Sequence, residues 1–533
     1  MENGTYDYVI VGAGSAGCVL ADRLSENPAL SVLIIEAGGS DAHPMVMIPK
    51  GIAFTLRNPK FAWFYPTQPF GPENQVEYWA RGKMLGGSSS VNGMVYNRGS
   101  QADFDNLEAL GNPGWNWDEM LRIYRSMEDH SLGASDMRGS GGPLEVGVRK
   151  DREQVDELLM RSAEHLGIRT IEDLNSSDAE RIGYAPATIR NGLRVSAAKA
   201  FLRPALKRPN LTLVDNTLAT KVLFDGDDAV GIEARRGDST VSFRARREVI
   251  LSMGSIATPK MLELSGIGSP DVLKDAGVDV RASSSKVGEG VREHRCLPLQ
   301  MRLRKNIGYN RRLSTPLRQG LSGIQWALSR TGPISTPAYD MLTFFKTDPT
   351  RERPDAQVLL TPYSAGAGSA GSDIEDRPGF SMLGFALRPT SEGSVHITSS
   401  APEASPRIVP NYLSTDHDRS TSIAMFRKMR TLVEQSPIAD VVSVETVPGA
   451  AVDDDESIIR SGFINGGTGY HACGAAAMGP DETDVVDSRL RVRGVNRLRV
   501  VDVSVMPTMI SGNLNAPAMA MAWRAGELIL DGQ

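Results

Sequence analysis

Gly12-Ala13-Gly14-Ser15-Ala16-Gly17 has the spacing G-x-G-x-x-G. Such spacing serves the close approach of a backbone to a phosphate. Gly12 permits a tight turn, Gly14 lets the main chain come against a pyrophosphate, and Gly17 lets the next helix pack closely on its strand. The N-terminus of that helix offers free N–H groups and a partial positive charge. Glu36, nineteen positions beyond Gly17, is placed to accept hydrogen bonds from ribose hydroxyls. The glycines alone are weak evidence in a glycine-rich chain. A strand before them, a helix after them and an acid closing the next strand make the pattern specific. It does not separate NAD from FAD, since both carry an adenosine diphosphate.

Two further clusters carry chemistry. Residues 81–99, RGKMLGGSSSVNGMVYNRG, supply small donors and unobstructed backbone N–H groups suited to an extended cofactor; by composition alone they fit any flexible loop. His471, one of seven histidines, follows Gly466-Gly467-Thr468-Gly469. Its unperturbed pKa of about 6.5 suits proton transfer near neutrality. By residue type alone, a histidine in such a loop is more often a structural polar group. Cys473 lies two residues on, but no further ligand cluster accompanies it, so no metal site is expected.

The elements that must position these groups are legible in outline. Tyr8-Val9-Ile10-Val11 is an apolar run entering the glycine turn, and Cys18-Val19-Leu20-Ala21 with Leu24 follows at helical spacing. Val32-Leu33-Ile34-Ile35 reads as a buried parallel strand, completing a β-α-β unit. Residues 38–99 are rich in Pro, Gly and aromatics with little periodicity, and helical patterns occupy 101–127 and 153–166. Short strands alternate with turns over 210–236, and 247–251 is a buried strand entering a turn at Gly254. Between about 297 and 447, the segments LTFFKT, QVLLTPY, SMLGFALRP and SVHITS predict a more antiparallel sheet. The acidic run 453–456 predicts a helix start. Together these predict a nucleotide-binding domain interleaved with a second domain.

Composition bounds the partners. The chain has 533 residues, 58 Lys+Arg and 64 Asp+Glu, a formal charge of −6, which argues against a general nucleic-acid binder. Three cysteines give no disulfide framework. No signal peptide and no transmembrane segment is evident, so a cytoplasmic setting is expected. Glycine, 53 residues, exceeds the usual share of about 7% and is clustered.

Gly82-Lys83-Met84-Leu85-Gly86-Gly87-Ser88-Ser89-Ser90-Val91-Asn92 resembles the first signature of the glucose–methanol–choline (GMC) oxidoreductases. GSIATPKMLELSGIG, residues 254–268, resembles the second. The tail, from His471 through LRVVD at 498–502 and MPTMISGNLNAP at 506–517, resembles the family's C-terminal catalytic segment. With the N-terminal glycine pattern, four motifs stand in the family's order. The resemblance spans about residues 6–531 and is weakest at 297–380.

This resemblance implies an FAD enzyme that oxidises alcohols. The implied fold is α/β (α+β overall), a Rossmann-like FAD-binding domain interleaved with an antiparallel-sheet substrate domain. The expected division is 1–142, 194–292 and 463–533 for FAD, and 143–193 and 293–462 for substrate. Carried over by position, Gly12, Gly14, Ser15, Ala16 and Gly17 hold the pyrophosphate, and Glu36 with Ala37 the adenosine ribose. Arg81, Gly86, Gly87, Ser88, Asn92, Gly93, Met94 and Val95 fall on the flavin side. Ala219 falls where adenine meets backbone, Asp502 and Val503 near the ribityl–pyrophosphate, and Asn515 in the same cofactor set. Some members attach flavin through a histidine at the position of Val91, so non-covalent FAD is expected here.

The resemblance also implies the catalytic pair. His471 is the general base and Asn513, at a position that is His or Asn in the family, positions the hydroxyl. The product of a primary alcohol is then an aldehyde, and the electron acceptor is dioxygen or a quinone or other carrier. Tyr339, Met341 and Phe344 are the weakest site candidates, for substrate contact, with ordinary core packing competing; Phe345 shares that stretch. Trp63 and Tyr65 border the cofactor or the core, and His294 is read as structural. Two alternatives stay open: a hydroxynitrile lyase on the same fold, and a non-catalytic flavin-binding protein. An NAD-dependent dehydrogenase is disfavoured, because nothing resembles a nicotinamide-specific substrate domain.

Overall fold

The computed structural model describes residues 2–366 and 373–532. Helices α1 (Ser15–Ser25), α2 (Gln154–Glu164), α3 (Gly254–Leu264), α4 (Pro316–Ser329), α5 (Asp416–Val433) and α6 (Asn515–Leu530) surround two sheets. In the first sheet Val32–Ile35 is buried at every position, as a continuous apolar run requires when both faces are covered. It runs parallel to Glu2–Val11, with Tyr8 opposite Val32 and Val11 opposite Ile35. Leu211–Val214 adds on one side and the long strand Ser239–Leu251 on the other, both parallel. Asp228–Arg236 and Leu218–Asp225 extend the sheet antiparallel, and Leu498–Val500 pairs with Val249–Leu251. Helix α1 makes the first crossover, and its Cys18, Val19, Leu20, Ala21 and Leu24 are wholly buried.

The second sheet runs Val442–Val447, Arg295–Leu303, Gly379–Ala386, Ala356–Thr361, Met341–Phe345, Arg181–Tyr184 and Arg169–Thr170 in spatial order. All neighbours are antiparallel except the last pair. Its two faces follow the period-two alternation of extended chains. Met341, Phe345, Ala356, Val358, Leu360, Phe380 and Met382 face a core shared with α2 and α5. Leu342, Phe344, Leu359, Phe385 and Leu387 face the other way, with Cys296 and Val95. Gln357 alternates onto this second face.

The chain enters each sheet more than once. The first sheet draws on residues 2–35, 211–251 and 498–500, the second on 169–184, 295–386 and 442–468. This is the interleaved α/β organisation expected from the order of the motifs. The acidic run does begin a helix: Asp454 caps Asp455–Ile464 by accepting from Ser457 N–H.

Where the chain leaves the 81–99 loop, a buried ion pair pins it. Arg98 and Glu128 are both 0% exposed, joined by Nε–Oε1 at 2.8 Å and Nη2–Oε2 at 2.6 Å, and the Tyr96 hydroxyl donates to the same carboxylate. Burial pushes the Glu128 carboxyl up while Arg98 pulls it back. Glu128→Ala leaves the guanidinium buried without its anion. We expect a loss of about 3–5 kcal/mol, read as an earlier urea unfolding transition, with Glu128→Gln intermediate.

Candidate active site

Strand pairing brings the 466–473 loop to its place. Gly467–Thr468 pairs antiparallel with Arg295 and Cys296, and Arg292 and Cys473 exchange backbone hydrogen bonds at 3.1 and 3.0 Å. The loop is therefore stitched at both ends to residues 292–296. Between the stitches the Glu293 carboxylate accepts from the backbone N–H of His294 (2.9 Å), His471 (2.7 Å) and Ala472 (2.8 Å). Burial raises Glu293 to about 7, opposed by Arg81, whose Nη2 lies 3.8 Å away, and by these N–H groups. A Cβ on Gly469 would lie 2.9 Å from both His294 Cβ and His471 Nδ1, so only glycine lets the two imidazoles meet. Tyr470 follows at φ 61°, uncommon for a bulky side chain.

The imidazoles form a directed chain. His294 Nε2 lies 3.0 Å from the Leu387 carbonyl oxygen, the two Nδ1 atoms are 2.9 Å apart, and His471 Nε2 lies 3.0 Å from Asn513 Nδ2. A carbonyl only accepts, so His294 carries its proton on Nε2 and presents a bare Nδ1. His471 must then donate from Nδ1, which leaves its Nε2 as a lone pair facing Asn513. Asn513 completes the assignment, donating from Nδ2 and accepting at Oδ1 from Gln357 Nε2 at 3.1 Å. Both rings are neutral: burial lowers His294 to about 4, and burial, then His294 and Arg81, holds His471 well below the usual histidine value. Phe385 packs against both, 4.3 and 5.8 Å between ring centres.

The glycine turn and the 81–99 loop meet. Gly86 N–H donates to Ala13 O at 2.8 Å. Helices α1 and α6 begin side by side, with Ser15 Oγ donating to Asn515 Oδ1 at 2.7 Å. Neither N-terminus has a side-chain cap or an acid in its first turn, so both leave free N–H groups and uncompensated positive ends. Buried without a hydrogen-bond partner are Ser252 Oγ, Arg194 Nη2, Ser504 Oγ and Gln357 Oε1, and Arg81 Nη2 has only the longer ion pair with Glu293. Orphaned polar atoms of this kind call for a ligand, and two open helix ends suit its pyrophosphate. The residues present therefore fit an FAD.

The remaining expected residues fall as follows. Glu36, 7% exposed, accepts from Ala13 N–H (2.9 Å) and Gly38 N–H (2.7 Å), with burial raising it to about 7; Ala37 lies between those donors. Ala219 lies two residues past Thr217, whose N–H donates to Glu36 O. Asp502 ties the start of α3 to its own loop, accepting from Gly254 N–H (2.9 Å), Thr258 Oγ1 (2.6 Å) and Ser504 N–H (2.8 Å); Val503 follows it. Ser88 Oγ accepts from Gly82 N–H, and Asn92 Oδ1 from Met94 N–H at 3.0 Å. Gly93 faces Ala338 and Tyr339. Val91 is 1% exposed and Val95 lines the sheet face toward the site. Phe344 shares that face, whereas Met341 points into the core on the opposite one. Trp63 and Tyr65 stack on each other. Cys473 is buried against Met509, and no cluster among the described residues could hold a metal.

Four participants are not singled out by sequence: Glu293, Gln357, Arg194 and the Leu387 carbonyl. Arg194, 4% exposed, organises the 81–99 loop by donating to Val46 O, Ser89 O and both oxygens of Asn92. It has no carboxylate partner, and burial lowers it to about 9. A polar residue in an otherwise apolar strand was the one signal for Gln357. At the glycine turn, a Cβ on Gly17 would lie 1.9 Å from Gly12 O. Gly17→Ala is expected to cost about 2 kcal/mol in this packing. The loss is read as an earlier urea unfolding transition of the purified protein.

Residues 6–296 and 389–522 match the GMC oxidoreductase family. Alcohol dehydrogenase (acceptor) from Pseudomonas putida is 35% identical over 530 residues, 98% of this chain and 96% of that one. The mitochondrial choline dehydrogenase of Homo sapiens is 36% identical, over 98% of this chain and 89% of its own length. The crystal structure of pyridoxine 4-oxidase from Mesorbium loti superposes with TM-score 0.88 at 28% identity, covering 99% of each chain. On these matches the chain belongs to the GMC oxidoreductases, as an FAD-dependent enzyme that oxidises alcohols at CH–OH.

Proposed function

We propose that the chain converts a primary alcohol to an aldehyde, with His471 as general base and Asn513 as the group that positions the hydroxyl. The observation that carries this reading is the bare Nε2 of His471, fixed by a hydrogen-bond chain running back to the Leu387 carbonyl. When bound, FAD supplies the two-electron acceptor for hydride from the carbinol carbon. In this reading Gly12 to Gly17 and the starts of α1 and α6 hold its pyrophosphate. Glu36 and Ala219 lie on the adenosine side, and Gly86 to Val95 with Arg81 and Arg194 on the flavin side. Val91 has no nucleophile, so the attachment is non-covalent.

The substrate hydroxyl replaces the direct contact between Asn513 and His471. It donates to His471 Nε2 and accepts from Asn513 Nδ2. As the hydroxyl proton moves onto Nε2, the Nδ1 proton of His471 can pass to Nδ1 of His294, and both rings share the positive charge. Gln357 holds the Asn513 amide by its oxygen, keeping the NH2 edge toward substrate. Tyr339 and Phe385 bound the space beside Gly93 and His471. Residues 1–142, 194–292 and 463–533 form the Rossmann-like FAD unit in this reading, and 143–193 with 293–462 the substrate unit. The acceptor is dioxygen or a quinone-type carrier, and the setting is the cytoplasm.

His471→Ala should stay yellow yet lose on the order of 100- to 10,000-fold in anaerobic bleaching by alcohol; normal bleaching would refute the assignment. The base acts when unprotonated and its folded pKa is depressed. The wild-type bleaching rate should therefore rise with pH through a midpoint below the ordinary 6.5 or so and be flat above it. A midpoint above that value contradicts the lowering.

His294 acts through His471. His294→Ala should slow bleaching at saturating alcohol on the order of 100-fold, with half-saturation unchanged. His294→Gln, whose amide can accept from His471 and donate to Leu387, should recover most of that rate. Equal loss in both variants would mean that His294 serves packing alone.

A further inference from the structure

Helix α4 is built inside out. Trp326 and Ser322 are its buried residues, and Trp326 Nε1 donates to Gly192 O at 2.7 Å. At 100° per residue, Leu317, Leu321, Ile324 and Leu328 fall within about 60° of one another, on the side away from Trp326. These four are 75%, 59%, 58% and 84% exposed. A helix that only completes a core turns such a stripe inward. Here the apolar stripe faces solvent, while a tryptophan, a serine and the Thr315 cap, which accepts from Arg318 N–H, hold the helix from behind.

The surrounding charge has one sign. Between Glu293 and Asp340 there are eight Lys or Arg and no Asp or Glu, in a chain whose net charge is −6. Arg312 pairs with Glu153 and Arg318 with Asp376. Arg304, Lys305, Arg311 and Arg330 form no ion pair among the described residues. Arg304, Lys305 and Arg311 are exposed and precede α4, and Arg330 lies at its C-terminal end over the Trp326 ring. The neighbouring segment packs on Pro333–Ser335 through Pro49–Gly51 and exposes Met47 and Phe54.

We propose that α4 docks this enzyme on an anionic lipid surface. The leucine and isoleucine stripe would enter the headgroup–acyl boundary, with Arg304, Lys305 and Arg311 meeting lipid phosphates, the arrangement that binds interfacial helices. No helix among the described residues is long and apolar enough to cross a membrane, so the attachment is peripheral. A second copy of the chain is the poorer occupant, because a two-fold contact would set like-charged stretches against each other. The face is continuous with the substrate side of the site: from α4 the chain runs through Pro333–Ser335 to Ala338 and Tyr339 beside Gly93. Lys50 locks that path by donating to Pro337 O at 2.6 Å and Ala338 O at 3.2 Å.

The test uses FAD-loaded protein and sedimentation with vesicles of phosphatidylcholine, with or without phosphatidylglycerol. The protein should pellet with the anionic vesicles and at least about tenfold less with phosphatidylcholine alone or in high salt. The fourfold variant Leu317→Gln, Leu321→Gln, Ile324→Gln, Leu328→Gln should remain in the supernatant and keep its flavin and its bleaching by a water-soluble alcohol. Arg304→Gln, Lys305→Gln, Arg311→Gln together should abolish the preference for anionic vesicles. The proposal fails if the wild type stays in the supernatant with anionic vesicles or if the fourfold variant pellets equally. It also fails if gel filtration shows a dimer that the fourfold variant dissociates and the wild type binds no vesicles.

Discussion

The carbonyl oxygen of Leu387 can only accept a hydrogen bond, and the protons of two imidazoles are ordered by that fact. It sets the tautomer of His294, which sets the tautomer of His471, which leaves one lone pair aimed at Asn513. The geometry behind this ordering is demanding. Leu387 closes the Gly379–Ala386 strand, His294 precedes the Arg295–Leu303 strand, and His471 arrives nearly 180 residues later. Sheet pairing and the three N–H bonds to Glu293 bring them together. A buried carboxylate that joins two distant segments at their backbones fixes position without hydrogen-bonding either imidazole.

Around the proposed cofactor cradle the polar groups lack protein partners instead. Two helix N-termini lacking caps, an arginine without a counter-ion and two unpartnered hydroxyls are each unfavourable in isolation. Together these are donors and positive ends, the chemistry that suits a phosphorylated dinucleotide. Glu36 contributes from the other direction: its carboxylate secures Ala13 and Gly38, so the turn is shaped in advance of ligand binding.

How much of this is legible in the sequence depends on the distance over which each feature is determined. The strand, glycine turn and helix at residues 8–25 are local, and so are the short strands of the second sheet, whose apolar alternation marks them. Gly17 and Gly469 are legible as glycines in motifs, but the steric reason for each lies in an atom that only folding brings near. His294 illustrates the limit. It is read from sequence as structural, yet its partner is decided by strand register and by one glycine in a loop 175 positions away. Gln357 and Arg194 carry no motif, because a buried polar side chain declares its purpose only through its neighbours. For Met341 and Phe344, two residues of one strand segment, the choice of face is set by register, which sequence spacing alone leaves open.

The strand Leu498–Val500 and helix α6 have a consequence for biosynthesis. The first sheet is completed by a strand near residue 500, and α1 packs on α6, some 500 positions further along the chain. Ser15 has to wait for Asn515. An emerging chain can begin its β-α-β unit early, but the contact of α1 with α6 forms only after residues 515–530 have been synthesised. A chain cut before Asn515 lacks the second of the two uncapped helix ends and the Ser15–Asn515 contact that joins them.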